Sequence, residues 1–362
     1  MQRITLLLST ALTGIALTTA AMAGDTLTVL SWGGAYSEAQ KTAFARPFEE
    51  KTGIKVTMAD TDNPATPIKA EVEAGNVTSD VASVGYADAM RLCDEGLVQE
   101  IDPDMLEKGA DGSAPQDDFL PNGLGDCFVA TDVYSTVIAY DGSKYQGDAA
   151  PKSVADFFDL DAFPGKRGMR KDAHFNMEMA LMADGVPADQ VYQVLATDEG
   201  VARAFKKLDS IKSQIVWWEA GAQPIQLLAD GEVALTLAYN GRVFNAAVDE
   251  GKPFRILWDG QIYEMEGWVI PKGAPNQQAA LDFVAFSTGP EPLARAAEQI
   301  SYGPPRKSSQ GLVGKYKDSD VDMPPNLPTA PENMGNALAS DVEFWVDHAA
   351  ELNERFAAWL AG

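Results

Sequence analysis

Histidine is almost missing from this 362-residue chain, which holds only His174 and His348. Ser–His or Cys–His catalysis would have to run through one of these two, and a tetrahedral zinc site would be short of ligands. Cysteine is equally scarce, at Cys93 and Cys127. Positive charge is outnumbered, with 28 Lys and Arg against 53 Asp and Glu, for a formal net charge of −25. That balance argues against binding nucleic acid or anionic lipid and favours the capture of cations. After residue 23 no apolar run approaches the ~18 residues that cross a bilayer, so stable membrane insertion is not expected. The patterns G-x-x-x-x-G-K-[ST], strand-anchored G-x-G-x-x-G, G-x-S-x-G and H-E-x-x-H are all absent. No nucleotide cofactor, resident metal, catalytic residue or enzymatic turnover is therefore expected.

What is present begins with a leader. Arg3 gives a short basic start, Ile4 to Ala20 is apolar or small, and Ala21–Met22–Ala23 is an A-x-A cleavage site. Residues 1–23 are expected to be removed on export to the periplasm, with no lipid anchor because no cysteine follows the apolar stretch. In an oxidising compartment the two remaining cysteines favour a Cys93–Cys127 disulfide. The remaining chain is too long for one ordinary core and suggests two lobes.

Strand and helix alternate through the first half. Thr26–Ser31 reads as a strand that runs into Trp32–Gly33–Gly34–Ala35–Tyr36 and then a helix from Ser37 to about Lys51. Phe44 and Phe48 share one face of that helix, and Pro47 predicts a kink. Strands at Ile54–Met58 and Val81–Val84 with helices after them imply a mainly parallel sheet. A second alternating region has strands at Asp132–Tyr140, Ile215–Trp217, Val233–Ala238, Phe254–Leu257 and Trp268–Pro271. Ser340 and Glu343 form an expected capping box for the last helix. Its stripe of Trp345, Ala349, Leu352, Phe356 and Leu360 is core packing.

Aromatic and acidic residues recur together at the ends of these elements. Trp217–Trp218–Glu219 and Tyr239–Asn240–Gly241–Arg242 end strands, Tyr263 to Trp268 contains Glu264 and Glu266, and Ser301–Tyr302–Gly303–Pro304 follows a helix. An indole or phenol face attracts an ammonium group by ~0.5–2 kcal/mol, and a carboxylate adds a charge-assisted hydrogen bond. Period two places Glu264 and Glu266 on one side of an extended segment, as a cation site requires. Arg242 is suited either to a ligand carboxylate or to an ion pair with Glu264 or Asp172.

In this order the segments resemble the periplasmic solute-binding proteins of ABC transporters, most closely the putrescine/spermidine-binding branch. The resemblance rests on Leu30–Ser31–Trp32–Gly33–Gly34–Ala35–Tyr36, Phe48 to Val56, Ser79–Asp80–Val81 leading to Tyr86 and Asp88, Gly231–Glu232–Val233 before Tyr239–Asn240–Gly241, Glu266 to Pro271, and Ile300 to Pro304. It implies a two-lobed α/β fold of the type II periplasmic-binding-protein kind, each lobe a mainly parallel sheet flanked by helices. Residues 24–139 and 271–315 would form one lobe and 140–270 and 316–362 the other, with crossings near Ala139–Asp141 and Trp268–Pro271. It also implies a monomer that closes on a polyamine-like cation and hands it to the transporter's permease subunits. Trp32, Tyr36, Tyr86, Asp172, Tyr239, Glu266 and Tyr302 match the family's ligand contacts, and Trp218, Glu264 and Trp268 extend the aromatic and acidic set. Phe175 and Glu264 depart from the longer-polyamine pattern. The alternative ligand is an amino-acid-like solute such as GABA or arginine, with Arg242 on its carboxylate.

Overall fold

The computed structural model describes residues 26–317 and 319–362, so the expected leader and its cleavage site lie outside the described residues. Eight strands carry the architecture: β1 Thr26–Ser31, β2 Lys55–Asp60, β3 Val81–Gly85, β4 Phe128–Asp141, β5 Arg167–Arg170, β6 Ile215–Trp218, β7 Leu235–Tyr239 and β8 Phe254–Val269. Their order is β2-β1-β3-β8-β4-β7-β5-β6. At one end β1 runs parallel to β2 and β3; at the other β5 runs parallel to β6 and β7. The long antiparallel pair β4 and β8 joins the two parallel halves. Two α/β lobes result, strapped together by strands that belong to both.

Each lobe has its own apolar core. The first gathers Leu27, Val29, Phe44, Phe48, Trp268 and Phe283; the second gathers Met169, Leu181, Leu208, Leu237, Trp345 and Phe356. These cores hand over between Ala130 and Ile138 on β4 and between Ile262 and Trp268 on β8. Both positions are earlier in each strand than the crossings expected from sequence. Ala139 already pairs with Thr236 and Ile256 in the second lobe, and Trp268 pairs with Ser83 and Val129 in the first. β4 is buried on both faces along most of its length, so its hydrophobic pattern carries no mark of the lobe change.

The expected strand Phe254–Leu257 and the first two residues of the expected strand Trp268–Pro271 instead belong to the single strand β8, which ends at Val269. Gly260 takes a φ of 74° inside a bulge where the register against β4 shifts. Pro47 is accommodated without breaking its helix. A π-helical turn, Lys41–Ala45, precedes it, and Pro47 falls in the first turn of Arg46–Thr52, where its missing N–H is not needed. The last helix, Val342–Ala361, is capped by Asp341, which accepts from the Phe344 N–H at 3.0 Å; Ser340 bonds His174 instead. Its stripe is buried at Trp345, Leu352 and Phe356, as the periodicity required.

Two devices fix the frame around the cleft. Arg167 at the start of β5 is fully buried, and its guanidinium donates to the carbonyls of Phe157, Asp159, Phe163 and Gly165. Cys93, on the helix Tyr86–Asp94, is bridged to Cys127 just before β4 across a sequence separation of 34. Replacing both cysteines by serine should lower the unfolding free energy by about 3–4 kcal/mol, the loop-closure entropy of such a span. Denaturant titration of the oxidised parent and the double variant measures it, and equal midpoints would show that the bridge does not constrain the unfolded chain.

Candidate functional site

The carboxyl ends of β1, β5, β6 and β7 converge on the segments where β4 and β8 pass between lobes. This is where open α/β sheets take small ligands. A cavity of about 90 Å³ lies there, the scale of several waters or one small solute. Its walls differ in charge from one lobe to the other.

On the first lobe the wall is acidic. Asp132 of β4 sits opposite Glu266 of β8 in the antiparallel register, so both carboxyl groups leave the same face. The Trp32 indole donates to Glu266 Oε1 at 2.6 Å, and Ser83 donates to the same oxygen at 3.3 Å. Tyr36 donates to Asp132 Oδ2 at 2.8 Å, while Asp132 Oδ1 is buried with no partner. Burial pushes the Asp132 carboxyl up to about 7. Burial, with the neighbouring Asp132 charge adding to it, holds Glu266 well above the ordinary carboxylate range. Two carboxyl groups held this way attract a cation that can take up donor contacts with both.

On the second lobe two guanidinium groups line the wall, beside the exposed Glu219. Arg170 ends β5 and its guanidinium donates to the Tyr239 hydroxyl at 3.0 Å. Arg242 lies in the first turn of the helix Asn240–Val248, where the helix dipole disfavours a cation. Among the described residues its Nε is buried without a partner, and its only hydrogen bond is a long one, 3.5 Å, to the Trp32 carbonyl of the other lobe. Among the described residues neither guanidinium makes an ion pair. The pairing of Arg242 with Glu264 or Asp172 raised by the sequence is thus not formed.

Aromatic rings close the sides. Tyr134 stands edge-on to Tyr239 with centroids 5.6 Å apart and lies 6.0 Å from Tyr302, which lies 5.7 Å from Tyr36. Asp62 and the turn Glu219–Ala220–Gly221 complete the lining from opposite lobes.

Of the residues singled out from sequence, Trp32, Tyr36, Tyr239, Arg242, Glu266 and Tyr302 line this cavity. Five others lie elsewhere for physical reasons. Trp268 has no exposed surface, donates to Ser287 Oγ at 2.9 Å and packs on Phe44 and Phe283 in the first core. Trp218 is buried behind Tyr239 at 5.9 Å. Tyr86 packs on Phe128 and borders a separate groove beside the last helix. Asp172 is spent on a local turn, accepting from the His174 N–H. Glu264 does share a face with Glu266, as period two required, but it accepts from the Tyr134 hydroxyl and lies 3.3 Å from His174 Nε2. Asp132, Tyr134 and Arg170 were not singled out. The signal for the first two was cross-strand register with Glu266 and Glu264, which a single strand's periodicity does not reveal; Arg170 was legible only as a charged residue at a strand's carboxyl end.

Known proteins fit this architecture. Residues 43–329 match the family model for bacterial extracellular solute-binding proteins. A γ-aminobutyric acid-binding protein of Pseudomonas aeruginosa is 45% identical over 349 residues, 96% of this chain and 95% of that protein. Among solved structures, the binding protein MotA of A. tumefaciens B6 in complex with glucopine superposes with a TM-score of 0.82 at 32% identity, covering 92% of this chain and 99% of that one. The GABA receptor Atu4243 superposes with a TM-score of 0.77 at 34% identity, covering 93% and 98%. Among the described residues no helix is long and apolar enough to cross a membrane. The chain belongs to the bacterial extracellular solute-binding proteins, a family that binds solutes and does not transform them.

Proposed function

We propose that this protein captures a small ω-amino acid of the GABA class between its lobes and presents it, in the periplasm, to the permease of an ABC importer. The observation that carries the reading is the division of charge across the cleft: Asp132 and Glu266 on the first lobe, Arg170 and Arg242 on the second. A ligand with an ammonium at one end and a carboxylate at the other satisfies both walls at once. Trp32, Tyr36, Tyr239 and Tyr302 would shield the short methylene chain and offer ring faces to the ammonium. A polyamine, the ligand class the sequence favoured, would set its second ammonium against two unpaired guanidinium groups. The 45% identity to a GABA-binding protein supports the amino-acid-like ligand as well.

Closure follows from the same division. The ammonium engages one lobe and the carboxylate the other, so the full set of contacts forms only when the lobes approach. Charge-assisted hydrogen bonds of this kind contribute about 1.5–3 kcal/mol each.

Titration calorimetry on single variants tests the assignment. Arg242→Gln and Glu266→Gln should each weaken GABA binding by about 1.5–3 kcal/mol, a loss of roughly ten- to a hundredfold, with ligand-free melting little changed. Unchanged affinity in either variant would remove that residue from the site.

The acid wall also sets a pH dependence. The raised Asp132 value means that the folded state favours its protonated form. Its contribution to stability is complete below about pH 4, the unfolded value, and is lost as pH rises through about 7. A bound ammonium favours the ionised form, so ligand binding recovers that loss. The rise in melting temperature caused by GABA should be larger at about pH 8 than at about pH 5.5, and Asp132→Asn should flatten the difference. Equal shifts at both pH values in the parent would contradict an amine seated on Asp132.

A further inference from the structure

Arg242 spans the cleft because glycine stands on both sides of it. On the first lobe its Nη1 occupies space beside Gly34, where a Cβ would lie 2.9 Å away. On its own lobe a Cβ at Gly221 would lie 3.0 Å from Tyr239 Cε2 and 3.2 Å from Arg242 Nε. Those separations are tighter than most packing contacts, so a methyl group at residue 221 would require the phenol or the guanidinium to shift by a few tenths of an ångström. The turn that carries Gly221 cannot simply retreat, because Gln223 Oε1 accepts from the backbone N–H groups of Glu219 at 2.7 Å and Ala220 at 2.9 Å. Gly221 itself has a backbone conformation open to any residue, in contrast to Gly34 with its φ of 60°. Conformational freedom does not explain the glycine at 221; the space taken by Tyr239 and Arg242 together does.

We propose that Gly221 is the specificity-determining position of this cleft, acting as a positioning residue through Arg242. With no side chain at 221, the guanidinium keeps its place next to the Gly221 turn and reaches the Trp32 carbonyl of the opposite lobe. Carboxylate recognition and lobe closure are then one act of one side chain. A ligand without a carboxylate leaves that cation buried and unpaired as the lobes meet, which is a penalty on closure rather than a missing contact. The inference rests on the ω-amino-acid reading above and adds the residue that enforces it.

A double-mutant cycle tests it by titration calorimetry with GABA on the full-length mature protein. Gly221→Ala should weaken binding roughly tenfold or more in the parent background and by less than about twofold in the Arg242→Gln background. The dissociation rate should carry most of the loss, since closure is what fails. Losses that add across the two backgrounds, or an unchanged affinity in Gly221→Ala, would overturn the role of Gly221 and leave the ligand class standing. Failure of the parent to bind GABA would overturn both.

Discussion

The opposition of Asp132 and Glu266 on one wall of the cleft to Arg170 and Arg242 on the other is the constraint from which the rest of this molecule follows. Asp132 and Glu266 are buried on one wall, and Arg170 and Arg242 face them on the other, without ion pairs among the described residues. Groups left in such a state are costly to bury, and they are held by rigid surroundings. The β4–β8 pair fixes the acids in register. The parallel strands β5 and β7 deliver Arg170 and the helix carrying Arg242 to the opposite side. Neither wall is satisfied alone, so a solute bearing both charges is the natural bridge between lobes.

Much of the fold was legible in the sequence because local signals and global architecture agree. The alternation of strand and helix, the stripe of the last helix and the Cys93–Cys127 bridge all follow from periodicity or compartment. The lobe boundaries were less legible. They fall inside two long strands that are covered on both faces, where hydrophobicity does not change as the chain passes from one core to the other.

The site was legible by residue type more than by residue identity. Aromatic and acidic side chains at the ends of elements pointed to the cleft, and five of those positions line it beside Arg242. Trp268 and Trp218 were drawn into the cores because an indole packed against neighbouring aromatic rings gains more from burial than from a cleft edge. Asp132 and Arg170 escaped notice because their importance comes from what lies opposite them in space. The net acidity of the chain suggested a cationic ligand, yet it is a property of the whole surface. Two guanidinium groups in the cleft outweigh it locally, since charge close to a buried ligand is felt far more strongly than screened charge at the surface.

The ligand question reduces to the sign of one end group. GABA and putrescine share an ammonium and have chains of similar length, but end in a carboxylate and in a second ammonium. Titration calorimetry of refolded, ligand-stripped protein with each compound in the same buffer decides between them. Recognition by Arg170 and Arg242 predicts that GABA binds at least about a hundredfold more tightly, a difference of ~2.7 kcal/mol. Putrescine binding as tightly as GABA, or more tightly, would contradict it.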